Sequence, residues 1–176
     1  MRAAILTIST SKSSGEGEDE SGPALVEFAR SVGVEFAELD VIPDEQDLIE
    51  ERLRHFCDEV ACDLVLTTGG TGMAPGDVTP EAIRAVIERE APGIPEAMRL
   101  ASREHTPNWM LSRAVAGIRG NTLIVSFPGS PRSIAQAGEA IRDALPHAVA
   151  LLAGENAPHA HPQRDHGSDG SGDGGG

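Results

Sequence analysis

Residues 67–82 read TTGGTGMAPGDVTPEA, and the arrangement of the rest of the chain follows from this stretch. The apolar run of residues 62–68 leads into it and a helical pattern leaves it, so it reads as a strand, a glycine-rich loop and a helix start. Gly69, Gly70 and Gly72 permit positive φ and close backbone approach, Thr79 suits an N-cap, and Pro80 suits the first helical position. A loop of this kind turns backbone N–H groups toward an anion. Asp77 stands two residues before the expected cap, where an acceptor-only carboxylate beside a phosphate-friendly loop makes sense as a metal anchor. The pairing points to nucleotide chemistry. Two plainer readings stand beside it: the glycines only turn the chain, and Asp77 only complements the helix dipole.

On the N-terminal side, residues 3–9 (AAILTIS) form a continuous apolar and β-branched run, the pattern of a strand buried on both faces. Residues 10–20 are polar and acidic and read as a loop, after which a helix starts at Ser21 or Gly22 and stops at Gly33. Residues 34–42 alternate as a half-buried strand, and residues 47–57 resume helical spacing through Leu48, Ile49, Leu53, Phe56 and Cys57. Beyond the central stretch the spacing predicts helices over 79–90 and 95–104, and a hairpin of 110–118 with 122–127 about Gly120 and Asn121. Residues 128–132 (PGSPR) are a second Gly/Pro loop after a buried strand, with Ser133 as cap of a helix to about Leu145 and a last turn or two from Pro146.

Strands alternating with helices predict an α/β fold with a mainly parallel sheet, helices on both faces and an added β-hairpin. Ligands of such folds lie beyond the C-terminal ends of strands. The loops in that position are 10–20, 43–47, 68–77 and 128–132. The second of these carries Asp44, which reads either as a plain N-cap or as a second carboxylate converging with Asp77 on one Mg²⁺. The central loop is neither a P-loop, lacking Gly-Lys-Ser/Thr, nor a dinucleotide fingerprint, since Pro75 stands where the third glycine belongs.

At 176 residues the size predicts one domain, placed at 1–154, with a disordered acidic, Gly- and His-containing tail over 155–176. The formal charge of −14 excludes the basic stripe that a nucleic-acid partner needs. No apolar run approaches the ~20 residues of a membrane span. Two cysteines are too few for a disulfide framework and no leader pattern opens the sequence, so a cytoplasmic location is expected. Cys57 and Cys62 lack a second ligand pair for zinc and read as inert buried thiols. His159, His161 and His166 belong to the tail and read as solvated.

Several stretches occur together and in order: SGPAL at 21–25, IPDE at 42–45, TTGGTG at 67–72, DVTPEA at 77–82, PGIPEAMR at 92–99, LSRAVAGIRGNTLI at 111–124 and PGSP at 128–131. Over residues 3–154 the sequence thereby resembles the molybdenum cofactor biosynthesis family, which includes the bacterial MogA and MoaB proteins and the gephyrin G domain. The resemblance implies a three-layer α/β fold, usually trimeric, that binds molybdopterin. In the MogA-like branch it implies Mg²⁺-dependent adenylylation of molybdopterin by ATP, giving adenylylated pterin and pyrophosphate, with contact to a molybdate-inserting enzyme. It assigns the functionally required carboxylates to Asp44 and Asp77, the same two that the reading of the residues takes as metal ligands for Mg²⁺.

Phosphate and pterin contacts are then expected from Thr68, Gly69, Gly70, Thr71, Gly72, Gly129, Ser130 and Ser133. Many relatives carry a basic residue just before the DVTPEA aspartate, where this chain has Gly76. Many also have an aspartate early in the first loop, where this chain offers Thr10, Ser11 and Lys12. Arg99, Arg113 and Arg119 read as solvated cations, Arg132 as the best functional arginine, and Trp109 as packing at the hairpin or a subunit interface. Two alternatives stay open: a MoaB-like protein that binds molybdopterin without catalysis, and a nucleotide pyrophosphatase of the competence-damage type.

Overall fold

The computed structural model describes residues 1–155, so the remainder of the expected tail, with its histidines, lies outside the described residues. The elements in chain order are β1 (Arg2–Ile8), α1 (Thr10–Ser13), α2 (Ser21–Ser31), β2 (Phe36–Ile42) and α3 (Gln46–Arg54), which runs into a π turn at His55–Glu59. There follow β3 (Leu64–Thr68), α4 (Thr79–Val86), β4 (Arg89–Glu90), α5 (Gly93–Ser102), a 3₁₀ turn at Trp109–Leu111, β5 (Ala116–Arg119), β6 (Thr122–Phe127), α6 (Pro131–Glu139) and α7 (Ala144–Leu152).

The strands form one sheet in the order β2-β1-β3-β6-β5-β4. β2, β1, β3 and β6 run parallel, while β5 pairs antiparallel with β6 and with β4. Successive side chains of the central strands enter opposite cores, which is why those strands are apolar at nearly every position. Ile5, Leu66 and Phe127 meet Leu25, Phe28, Met98, Ile134 and Leu145 of α2, α5, α6 and α7 on one face. Leu6, Val65 and Ile124 meet Ile49, Leu53, Phe56 and Ile83 of α3, the π turn and α4 on the other. The result is the expected three-layer arrangement.

Register places the site. Ile8 stands opposite Ile42, Thr7 opposite Thr68, and Thr68 opposite Phe127, so the four parallel strands end at one level. The chain leaves them side by side as Ser9 and Thr10, Pro43 and Asp44, Gly69 and Gly70, and Pro128 and Gly129.

Local expectations fail in several places, each for a physical reason. The first residues of the expected 10–20 loop are the helical turn α1, which the Ser9 side chain caps by accepting from the Lys12 N–H. The helix expected to reach Glu90 stops at Val86, because Glu88 and Ala91 donate to the Ile118 and Ala116 carbonyls and the chain becomes the edge strand β4. The stretch from Met110 is a 3₁₀ turn, and pairing begins only at Ala116. Ser130, not Ser133, caps α6, since Pro131 takes the first helical position and Ser130 Oγ accepts from the Ser133 N–H. Finally, the long C-terminal helix is two helices, with Pro146 inside the first turn of α7, where a missing N–H leaves no bond unmade.

Candidate active site

The central loop is fastened to the strand ends by its own backbone. Gly69 has φ +99°, and a β-carbon there would stand 2.1 Å from the Ile8 carbonyl oxygen, so only glycine permits this contact with the end of β1. Thr68 is fully buried and donates its hydroxyl to the Pro128 carbonyl (2.8 Å), which joins the glycine loop to the PGSP loop. The hydroxyl expected to meet a ligand is therefore committed to structure. Thr79 is likewise buried and does not cap α4, whose N-cap is Val78. Its hydroxyl donates to the Gly69 carbonyl (2.9 Å) and its N–H to the Gly70 carbonyl (3.1 Å), pinning the loop from the far side.

The two carboxylates stand against opposite ends of this loop. A β-carbon on Gly70 would lie 3.1 Å from Asp44 Oδ1, and one on Gly72 would lie 2.8 Å from Asp77 Oδ2. Each aspartate has one oxygen held. Asp44 Oδ2 accepts from the Thr10 N–H (2.8 Å) and hydroxyl (2.9 Å), and Asp77 Oδ2 accepts from the Ala74 N–H (2.8 Å). Among the described residues the other oxygen of each accepts no hydrogen bond. Neither aspartate is the N-cap of the helix that follows it, so the plain cap reading of Asp44 fails, Glu45 being the N-cap of α3 and Val78 that of α4.

Two half-free carboxylates beside a phosphate-friendly loop form a donor set that suits Mg²⁺, which takes one or two carboxylates plus substrate phosphates and water. Among the described residues no three His, Cys, Asp or Glu side chains gather as a metal group.

Part of the loop's backbone is left without a partner. Among the described residues those of Gly70, Thr71, Gly72 and Met73 donate no hydrogen bond within the chain. The PGSP loop closes one flank, with the Gly129 β-position 3.5 Å from Gly69 Cα. Ser130 Oγ donates to Ser133 Oγ (2.7 Å) while capping α6. Beyond Ser133 opens a cavity of about 160 Å³ lined by Arg99, Asn108, Trp109 and Gln136 among others.

Residues 4–147 match the family model described as "Probable molybdopterin binding domain". The chain belongs to the molybdenum cofactor biosynthesis family. It is 43% identical over 152 residues to the molybdopterin adenylyltransferase of Helicobacter pylori strain J99, covering 85% of this chain and 86% of the relative. Identity to the protein of the same name from Escherichia coli K12 is 42% over 175 residues, 90% of each chain. The crystal structure of a molybdopterin biosynthesis enzyme MoaB from Thermus thermophilus superposes with a TM-score of 0.78 at 44% identity, covering 87% of this chain and 96% of that one. Fold and family thus agree with the resemblance read from the motifs.

The arginines depart from their sequence reading. Arg99 donates to the Ala114 carbonyl (3.3 Å), and Arg119 makes an ion pair with Asp58 (2.7 Å) and a bond to the Val86 carbonyl (3.1 Å). Arg113 reaches the central loop itself, through the Gly72 and Asp77 carbonyls and the Glu81 carboxylate. Arg132 alone of the four is exposed. The one cue to Arg113 was its place in the LSRAVAG motif; charge alone does not distinguish it from a solvated surface residue.

A second feature the motifs left unread is Asp19, which binds the start of α2. Its carboxylate accepts from the Thr7 hydroxyl (2.7 Å), the Ser21 hydroxyl (2.9 Å) and N–H (3.0 Å), and the Gly22 N–H (3.0 Å). Burial opposes its ionisation, but the bonds from Gly22, Thr7 and Ser21 outweigh it and hold the carboxyl below its ordinary value. Cys57 and Cys62 are free and buried, and burial pushes their thiols up to about 12 and about 11.

Proposed function

We propose that this chain is a molybdopterin adenylyltransferase that works with Mg²⁺ and ATP. One observation carries the reading: Asp44 and Asp77, each with an unengaged oxygen, flank a glycine loop in which the N–H groups of Gly70, Thr71, Gly72 and Met73 are unpaired among the described residues, all at the C-terminal edge of the parallel strands. The terminal phosphate oxygen of molybdopterin attacks the α-phosphorus of ATP. The bond from that phosphorus to the β-bridging oxygen breaks, and pyrophosphate leaves. No protein nucleophile is needed, so the protein's task is alignment and charge neutralisation.

In this reading the N–H groups of Gly70, Thr71 and Gly72 hold phosphate oxygens, with Gly69 shaping the turn beneath them. Asp44 and Asp77 would hold Mg²⁺ directly or through water, and the ion would supply charge neutralisation for the phosphates. Gly129, Ser130 and Ser133 receive the pterin's anionic end, and the adjoining cavity with Asn108, Trp109 and Gln136 takes its ring. We assign the protein to the cytoplasm and to a homotrimer that hands its product to a molybdate-inserting enzyme. Support for an assembly of copies comes from apolar side chains left outside: Leu100 of α5 is 61% exposed, and Met110 and Leu111 of the 3₁₀ turn are 61% and 48% exposed.

Purified protein with molybdopterin, Mg²⁺ and ATP is expected to yield adenylylated pterin and pyrophosphate. Nucleotide hydrolysis without pterin supports the pyrophosphatase alternative, and tight pterin binding without product supports the binding-only one.

A further inference from the structure

Arg113 makes a set of bonds that no solvated surface cation would make. It lies between the 3₁₀ turn and β5, and its backbone N–H donates to the Thr71 carbonyl (3.0 Å). Its Nε donates to the Gly72 carbonyl (2.7 Å), Nη2 to the Asp77 carbonyl, and Nη1 to Glu81 in the first turn of α4. One residue thus holds three carbonyls of the central loop, two of them through one rigid planar group whose orientation the Glu81 carboxylate fixes.

Every peptide bond described here is trans. In a trans peptide the C=O and the following N–H point in opposite directions. Holding the carbonyls of Thr71, Gly72 and Asp77 on the Arg113 side therefore turns the N–H groups of Gly72, Met73 and Val78 to the other side. Those N–H groups make no hydrogen bond within the chain among the described residues. The same bond to the Asp77 carbonyl fixes the backbone from which the Asp77 carboxylate projects. Since the guanidinium is spent on carbonyls and on Glu81, it acts by shaping the loop and not by meeting a phosphate.

We propose that Arg113 is a positioning residue for the nucleotide, setting the polarity of the phosphate loop by holding its carbonyls on the side away from the ligand. The proposal rests on the nucleotide-binding part of the adenylyltransferase reading. It predicts a selective loss: nucleotide affinity depends on Arg113, whereas pterin affinity, resting on the PGSP loop and the cavity beyond it, does not.

Calorimetric titration with α,β-methylene-ATP and Mg²⁺ measures nucleotide affinity without turnover, and titration with molybdopterin measures the other substrate. Arg113→Gln is expected to weaken the analogue about tenfold or more, and molybdopterin by less than about twofold. Arg113→Lys keeps the charge and the stem but not the planar fork, and is expected to lose about three- to tenfold in analogue affinity. Lysine is the deciding variant if the glutamine variant does not fold. Analogue affinity within about twofold of wild type in folded Arg113→Lys, or equal weakening of both ligands, overturns the proposal. A wild-type chain that binds the analogue but forms no adenylylated pterin from ATP and molybdopterin overturns the adenylyltransferase reading while the affinities still decide this one. A wild-type chain that binds no analogue overturns both.

Discussion

Gly69 and Gly76 belong to the same loop, yet they answer to different constraints. A β-carbon on Gly76 meets nothing within 4 Å, whereas one on Gly69 runs into the Ile8 carbonyl at 2.1 Å with φ at +99°. Gly69→Ala is accordingly expected to lower unfolding free energy by about 3 kcal/mol, the upper end of overpacking costs, and Gly76→Ala by less than about 0.5 kcal/mol. Urea denaturation of the two variants checks this, and equal midpoints would count against it. At this scale the tight turn at Gly69 was legible, because a positive φ and close backbone approach follow from a missing side chain, and so was the placement of Asp44 and Asp77 beside the loop. Thr68, Thr79 and Arg113 were not: a threonine hydroxyl or a guanidinium announces no partner until the fold supplies a carbonyl at hydrogen-bond distance.

Elements that bury a face were readable from periodicity, and those decided by long-range pairing were not. Residues 79–86 carry the helical pattern of Ala82, Ile83 and Val86 and fold as expected, while the next four obey the edge of β5. Gly117 makes that crossing possible, since a β-carbon there would lie 2.5 Å from Ile87 Cδ1 and 2.8 Å from the Arg89 carbonyl. The start of α2 has its own determinant in Asp19, whose folded-state carboxyl titrates below the ordinary 3.8. A depressed carboxyl contributes stability above its unfolded value, and that contribution is lost as pH falls through the folded value. Stability should therefore decline below about pH 4, and less steeply in Asp19→Asn. Denaturation midpoints at pH 5 and pH 3 measure it, and identical slopes for the two chains would remove Asp19 from the acid response.

In the molecule as a whole, the site exists because four parallel strands end at one level and deliver Thr10, Asp44, the glycine loop and the PGSP loop to one edge. Alternation of strands and helices made that edge predictable, whereas which loops touch was not, because contact depends on the strand order β2-β1-β3-β6. The apolar exposure at Leu100 and Met110 belongs to this scale too. The wild-type chain is expected to sediment as a trimer and Leu100→Glu with Met110→Glu as a monomer, since charge on an apolar contact is costly to bury. A monomeric wild type would rule the assembly out.

Transfer of an adenylyl group to molybdopterin at a site flanked by Asp44 and Asp77 is tested by pyrophosphate release from Mg²⁺-ATP, with and without molybdopterin, by the wild type and by Asp77→Asn. The wild type is expected to release one pyrophosphate per adenylylated pterin and none without the pterin. Asp77→Asn is expected to release none although it still binds molybdopterin. Full turnover by Asp77→Asn, or pyrophosphate release that ignores the pterin, would contradict this assignment.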